Sequence, residues 1–380
     1  MKIKYLFYLI LMAAFVVAMT LDHSQNACTS HCGTDLKAPP EEMKPADPHM
    51  YPADWMALQR MYPHNSMKIQ AHVAEMQKAA HMHQAAAERY DFDWQQAGPE
   101  NIGGRITDIE VNPANIDQIY VGAATGGILK TDDGGITWEN IFDDRPMISI
   151  GDIALDPENP EIIYAGTGEA NSSSYSFLGD GMHKSTDGGE TWEYIGLESS
   201  AYIGRVIVDH DNSNRVFVAA CGNLFSTNAD RGIYRSTDAG ASWEQLLYLN
   251  DSTAAIDIVQ HPENPDILIA AMWERVRGLN YRRSFGNSSG LWKTTDGGDS
   301  WYELTDGLPT GNNVGRIGVD IARSNPDVVY AFYDMSGGEQ RVFRSNDLGE
   351  SWNSTNDWAI QGMNSSFGWY FGQIRVDPRS

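Results

Sequence analysis

The sequence predicts an all-β fold, a β-propeller of five full blades plus the start of a sixth, with a short helical segment ahead of it. Three observations carry this prediction. An eight-residue pattern, Ser/Thr-x-Asp-x-Gly-x-Ser/Thr-Trp, recurs five times, ending at Trp138, Trp192, Trp243, Trp301 and Trp352. Each copy is preceded by three short β-rich runs and followed by a fourth, at a period of roughly 50 residues, the period of propeller blades. The chain of 380 residues holds 36 glycines and 11% aromatics, a mixture suited to many short strands and turns. A blade cannot bury its own faces, so several must ring a channel. Five blades and one strand, Phe371–Pro378, do not close cleanly, so the chain reads as a truncated portion of a longer protein.

The chain begins with Lys2 and Lys4 ahead of an apolar run, Tyr5–Met19. That is the layout of an export signal over 1–20, and the run is short for a membrane-spanning helix. Export implies a secreted or cell-envelope protein. Gln25-Asn26-Ala27 before Cys28 is a poor lipidation site, which leaves a lipid anchor there as the lesser alternative. Cys28 and Cys32 could pair, and Cys221 reads as a small buried apolar residue. Residues 21–92 form a linker rich in Pro, Met and His, and then a helix. Ser66 could cap it, with Ile69, Val73, Met76 and Ala80 on one face, and it would run to about Arg89. Imidazole and thioether groups would suit copper, but no ligand spacing repeats. A helix docking on the propeller is therefore the better reading, and no metal or organic cofactor is called for. The propeller occupies 93–380.

The formal net charge of −24 excludes non-specific binding to nucleic-acid backbones. Strand order orients the ring. The inner strand of each blade starts on the top face, so the turn after it and the Trp-ending turns share the bottom. The loops between second and third strands lie on top, and there the units differ. Gly168–Asp180 and Trp273–Phe285 are long and chemically rich. Variable loops on a regular scaffold are where binding usually resides. Tyr175, Phe177, Trp273 and Tyr281 offer aromatic faces for sugar rings or an extended peptide. Arg275 and Arg277, with Arg282 and Arg283, suit a carboxylate or phosphate. Glu169 and Glu274 could form a carboxylate pair across the channel mouth. Arg105, Arg205 and Arg316 each follow a glycine at the start of an inner strand and read as one repeat position around the top of the channel. Pairing with neighbouring acids is their plainer role.

The five turns are Asp-boxes, or BNR repeats, as in sialidases, xyloglucan hydrolases and sortilin/VPS10-type receptors. The chain resembles exported bacterial propeller proteins of the sortilin/VPS10 N-terminal-like, glycosyl-hydrolase-like kind from about residue 90 onward. Gln96–Arg105, Gly166–Asn171 and Met272–Arg275 carry that likeness. It implies fold and export more firmly than chemistry. The three-arginine carboxylate grip of sialidases is not one repeated Gly-Arg position, and their Arg-Ile-Pro signature is absent. Xyloglucanases carry a catalytic Asp in a run like Tyr-Ala-Arg-Thr-Asp-Ile-Gly-Gly. The matching run here is Tyr120–Gly127, with Ala124 at the Asp position. Those enzymes also bring the facing carboxylate from a second propeller. The leading expectation is a recognition module for glycan or extended peptide on the top face. A glycoside hydrolase using Glu169 or Glu274 is the alternative, and a scaffold within a larger envelope protein is the third.

Overall fold

A computed structural model of the chain describes residues 68–89, 103–171, 176–277, 282–356, 360 and 367–378. Helix α1 (Ile69–Arg89) comes first. Ile69 is buried and Val73 packs beside it on the core, whereas Met76 is exposed. Ser66, Cys28 and the export segment lie outside the described residues.

Five four-stranded antiparallel sheets follow. Blade 1 is β1 (Ile106–Val111), β2 (Ile119–Ala123), β3 (Gly127–Thr131) and β4 (Glu139–Asn140). Blade 2 is β5 (Ile150–Leu155), β6 (Ile163–Thr167), β7 (Met182–Ser185) and β8 (Glu193–Tyr194). Blade 3 is β9 (Ile203–Val208), β10 (Val216–Ala220), β11 (Gly232–Ser236) and β12 (Glu244–Leu247). Blade 4 is β13 (Thr253–Gln260), β14 (Leu268–Glu274), β17 (Gly290–Thr294) and β18 (Tyr302–Leu304). A small hairpin, β15 (Val276–Arg277) with β16 (Arg282–Arg283), is inserted in its top loop. Blade 5 is β19 (Val314–Ile321), β20 (Val329–Met335), β21 (Glu339–Ser345) and β22 (Asn353–Ser354), and a four-residue helix α2 (Gly368–Phe371) follows it. Each sheet keeps its strands in chain order, as β-propeller blades do.

The Asp-boxes close the bottom turns by one set of hydrogen bonds repeated five times. In blade 2, Ser185 Oγ accepts from Gly189 N at 2.9 Å and donates to Asp187 Oδ1 at 2.7 Å. Asp187 then accepts from the backbone and hydroxyl of Thr191 at 2.9 and 2.6 Å. The other four boxes repeat this geometry. Two of them place Ala239 and Leu348 at positive φ where the others use glycine, so the box bonds hold even a strained backbone. Each box also bonds to its own first turn, as in Gly188 N to Glu161 O at 2.9 Å, which puts boxes and Asn-Pro turns at one end.

Neighbouring blades join through two devices. The second box glycine lies against a residue within or just after the fourth strand of the preceding blade. A Cβ on Gly189, Gly240 or Gly298 would stand 2.3, 2.6 and 2.4 Å from Ile141, Ile195 and Leu246. Along the channel, an inner-strand aspartate accepts a backbone N–H of the next blade. Asp108 serves Ile153 at 3.0 Å, Asp152 serves Val206 at 2.7 Å and Asp257 serves Val319 at 3.3 Å. Asp320 accepts from Val376 at 2.7 Å, so the segment after α2 lies on blade 5 as the start of a sixth inner strand would.

Candidate functional site

Register assigns each inner-strand residue a depth in the channel. Asn112, Asp156, Asp209, His261 and Ala322 are equivalent, because each donates its N–H to the carbonyl that closes the first turn. Arg105 stands seven residues before that anchor, Arg205 four and Arg316 six. The three arginines therefore do not share a repeat position. The glycine before each is a local feature, and inner-strand irregularities between Ile106 and Asp108 and between Val314 and Ile317 shift the count.

Their environments differ accordingly. Arg205 occupies the place held by Asp108, Asp152 and Asp257 in other blades. It lies 3.2 Å from Asp152, 3.8 Å from Asp108 and 3.9 Å from Asp257. Burial opposes its charge, but Asp152, Asp257 and Asp108 outweigh that and hold its pKa above the ordinary range. Burial, then the nearby Asp108 charge, push Asp152 well above the usual carboxylate range. Burial and Asp108 raise Glu110 to about 7. This is a structural charge cluster, and below it a cavity of about 400 Å³ opens, lined by Glu110, Arg205, His210, Gln260 and Arg323.

Arg105 sits higher, at the top rim. Its Nε and Nη2 donate to Glu169 Oε1 and Oε2 at 3.0 and 2.7 Å. Glu169, in the β6–β7 loop, is fully buried and also accepts from Tyr370 Oη at 2.7 Å. The expected top-face position of this loop is therefore met, but its carboxylate is already held by a guanidinium and a phenol.

The long blade-4 loop turns inward. Trp273 was expected to offer its face to a ligand, yet it is fully buried, with Nε1 donating to Ser284 O at 2.8 Å. It lies at the penultimate position of β14 and packs in the core with Tyr333 and Trp369. Arg275, expected as an anion ligand, is equally buried. Its guanidinium lies 5.0 and 5.4 Å from the ring centres of Trp273 and Trp369, and Nη1 donates to Ser284 Oγ at 2.6 Å. Burial, then Arg282, Arg277 and Arg316, push it well below the ordinary arginine value. Arg316 is buried too and donates to Tyr370 O at 2.7 Å; burial lowers it to about 10. Surface roles for Trp273, Arg275 and Arg316 do not fit these placements, because tertiary packing turned apparent loop residues into core.

Glu274 is half-buried and accepts from Arg283 at 3.0 Å and from Ser288 Oγ at 2.9 Å. Its partners and those of Glu169 are two separate sets. Phe177 and Arg277 are partly buried. Phe177 O accepts from Glu169 N at 3.2 Å, and Arg277 N donates to Leu224 O at 2.7 Å. Tyr175 and Tyr281 lie outside the described residues. Ala124 is buried, and its N–H bonds Arg105 O at 3.0 Å.

Two residues at this end were not singled out from the sequence. Tyr370 joins the Arg105–Glu169 pair across 201 positions of chain. Asp334, the penultimate residue of β20, is 2% exposed, with Oδ2 lacking a hydrogen-bond partner among the described residues. Burial raises it to about 6, against the lowering effects of Gln340, Arg316 and Arg282. Strand counting could have found it. Asp334 follows the start of β20 by five residues, as Ala124 follows the start of β2, so it is the fifth-blade equivalent of that position. Phe367, just before α2, and Phe371, at its end, are exposed, and Arg282 lies 4.4 Å from the Trp369 ring. Among the described residues no group of three or more His, Cys, Asp or Glu side chains could hold a metal ion.

Comparison with known proteins fits this architecture. Residues 180–311 match the sortilin/Vps10 family model, described as sortilin, neurotensin receptor 3. Xyloglucanase Xgh74A of Acetivibrio thermocellus is 24% identical over 336 residues, covering 72% of this chain and 38% of that protein. A xyloglucanase of a Paenibacillus species is 23% identical over 329 residues, covering 78% and 30%. Among solved structures, the Niastella koreensis GH74 enzyme aligns with TM-score 0.54 at 22% identity, covering 72% of this chain and 42% of that one. The GH74 xyloglucanase of Xanthomonas campestris aligns with TM-score 0.55 at 19% identity, with the same coverage. The chain spans about 38% of the length of the first of these relatives. The chain is thus an Asp-box β-propeller similar to sortilin/Vps10 domains and to xyloglucanases, and the likeness to the solved structures establishes its fold.

Proposed function

We propose that this propeller acts on a xyloglucan-like polysaccharide as a glycoside hydrolase, with its sugar-facing surface on the top rim. The observation that carries the reading is similarity to xyloglucanases over 72–78% of the chain. The top rim adds to it, because carboxylates, arginines and exposed aromatic rings gather there, the groups that sugar recognition and glycosidic cleavage need. The basic-then-apolar start of the chain supports action outside the cytoplasm.

A second reading, a recognition module without turnover, draws on the engagement of Glu169 by Arg105 and of Glu274 by Arg283, and on Ala124 at the position of the xyloglucanase Asp. Incubating the whole protein with xyloglucan, other β-glucans and a control α-glucan separates the two. New reducing ends from xyloglucan support the hydrolase. Calorimetric binding without new reducing ends supports the recognition module. Neither binding nor cleavage of any glucan would rule out both.

A further inference from the structure

The aromatic residues in and just before α2 form one cluster on the top rim. Ring centres lie 5.7 Å apart for Phe367 and Trp369, 4.8 Å for Tyr370 and Phe371, and 6.4 Å for Phe367 and Phe371. The element is held firmly from beneath. Trp369 is buried in the core, Arg316 donates to Tyr370 O at 2.7 Å, and Tyr370 Oη donates to the Arg105-bound Glu169 at 2.7 Å. Phe367 and Phe371 nevertheless stay 50% and 57% exposed. Two exposed phenyl rings on an anchored element make a ready stacking platform, because little freedom is lost when a ligand covers them.

The charge beside this platform is positive, on a chain whose formal net charge is −24. The exposed Arg282 lies with its guanidinium 4.4 Å from the Trp369 ring centre. Two acids of the rim are committed to other arginines, Glu169 to Arg105 and Glu274 to Arg283. Among the described residues Asp334 is the acid that acts on Arg282, and it is shared with Arg316. Burial, then the Arg277 charge, push Arg282 below the ordinary arginine range in spite of Asp334. Arg282 donates to no carboxylate among the described residues, so its planar fork of N–H groups suits one supplied from outside.

We infer that Phe367, Phe371 and Arg282 form a subsite for a polysaccharide that carries uronic-acid carboxylates. The phenyl rings take sugar faces and Arg282 takes a carboxylate in a bidentate pair. The inference rests on the polysaccharide reading above and narrows it from neutral to acidic chains. It assigns no cleavage step to these residues. An acidic peptide offers the carboxylate without the flat pyranose faces that the phenyl pair is placed to cover.

The test measures binding of the whole protein by calorimetry to three polymers: xyloglucan, the same xyloglucan oxidised at C6 to uronate, and polyglutamate. Wild type should bind the oxidised polymer about tenfold more tightly than the neutral one, the worth of one charge-assisted pair. That preference should shrink in about 0.5 M salt, which screens exposed charges. Arg282→Gln should abolish the preference and leave affinity for neutral xyloglucan unchanged. Phe371→Ala should weaken both sugar polymers about equally, by up to about tenfold. Circular dichroism checks that each variant folds. Equal affinity for neutral and oxidised xyloglucan would overturn the carboxylate subsite and leave the polysaccharide reading standing. So would a preference that survives Arg282→Gln or, if that variant fails to fold, one that survives high salt in wild type. Sugar binding undiminished in Phe371→Ala would overturn the stacking platform. Polyglutamate bound as tightly as the oxidised polymer would make the surface a site for acidic peptides instead. Binding of none of the three would overturn both this inference and the reading beneath it.

Discussion

The acid end of the stability curve should belong to the Asp-box carboxylates. Hydroxyl and backbone donors from Thr137, Thr191 and Ser300, with help from Thr131, Ser185 and Thr294, hold Asp133, Asp187 and Asp296 down at about 2. Ser351 and Ser345 do the same for Asp347. A free aspartate titrates near about 4. The folded value is lower than the unfolded one, so the stabilisation is fully present above about pH 4 and is lost as pH falls toward 2. The melting temperature should fall steeply across that window, and Asp187→Asn should shallow the fall while lowering the melting point at neutral pH. A variant with the same pH slope as wild type would show that the boxes do not govern acid unfolding. These residues were legible from the sequence because their bonds reach no further than six positions. Tyr370 was not, because its partner Glu169 lies 201 positions away, and neither was Asp334, whose neighbours include Arg282 of the blade-4 hairpin and Gly368 of α2.

Within an element, identical motifs have unequal worth according to what covers them. Trp192 is nearly buried, and its Nε1 donates to Ile141 O at 2.8 Å in the preceding blade and to Gly189 O at 3.1 Å. It also meets Phe142 edge-on at 4.9 Å. Trp138 stands at the same motif position but is 44% exposed and bonds only its own Gly135 among the described residues. Trp192→Ala should cost about 3–5 kcal/mol, the range for large aromatic truncations in packed sites. Trp138→Ala should cost about 1 kcal/mol or less, as for a substitution outside the core. Urea unfolding measures both, and equal losses would mean that seam packing does not set the value of a box. The sequence shows five equal boxes, and only the neighbours make them unequal. The same holds for the blade-4 loop. Trp273 and Arg275 read as binding residues from composition, but their rings and charges are spent on the core around Tyr333 and Trp369.

For the molecule as a whole, the channel is an electrostatic balance centred on Arg205. Asp108, Asp152 and Asp257 come from three different blades and stitch each to the next, and one guanidinium lies within 4 Å of all three. Arg205→Leu should destabilise the fold by about 3–5 kcal/mol at pH 7, the cost of leaving buried charges uncompensated. Adding Asp152→Asn, or lowering the pH to protonate the raised Asp152, should recover part of the loss. Thermal unfolding of the single and double variants checks this. An additive double-mutant effect would exclude the coupling.

What the sequence by itself determined was the local grammar: boxes, strand periodicity, the order of strands in a blade and which loops lie on top. All of these follow from hydrogen bonds and alternation over a few residues, so composition and spacing suffice. Only the tertiary structure decided which arginine is deep, which tryptophan is core and which carboxylate lies beneath α2. Those outcomes depend on register offsets of one to three residues between blades and on contacts as distant as Tyr370 with Glu169. A Gly-Arg pair looks the same wherever it falls along a strand, whereas its depth in a low-dielectric channel fixes its charge partners and its role.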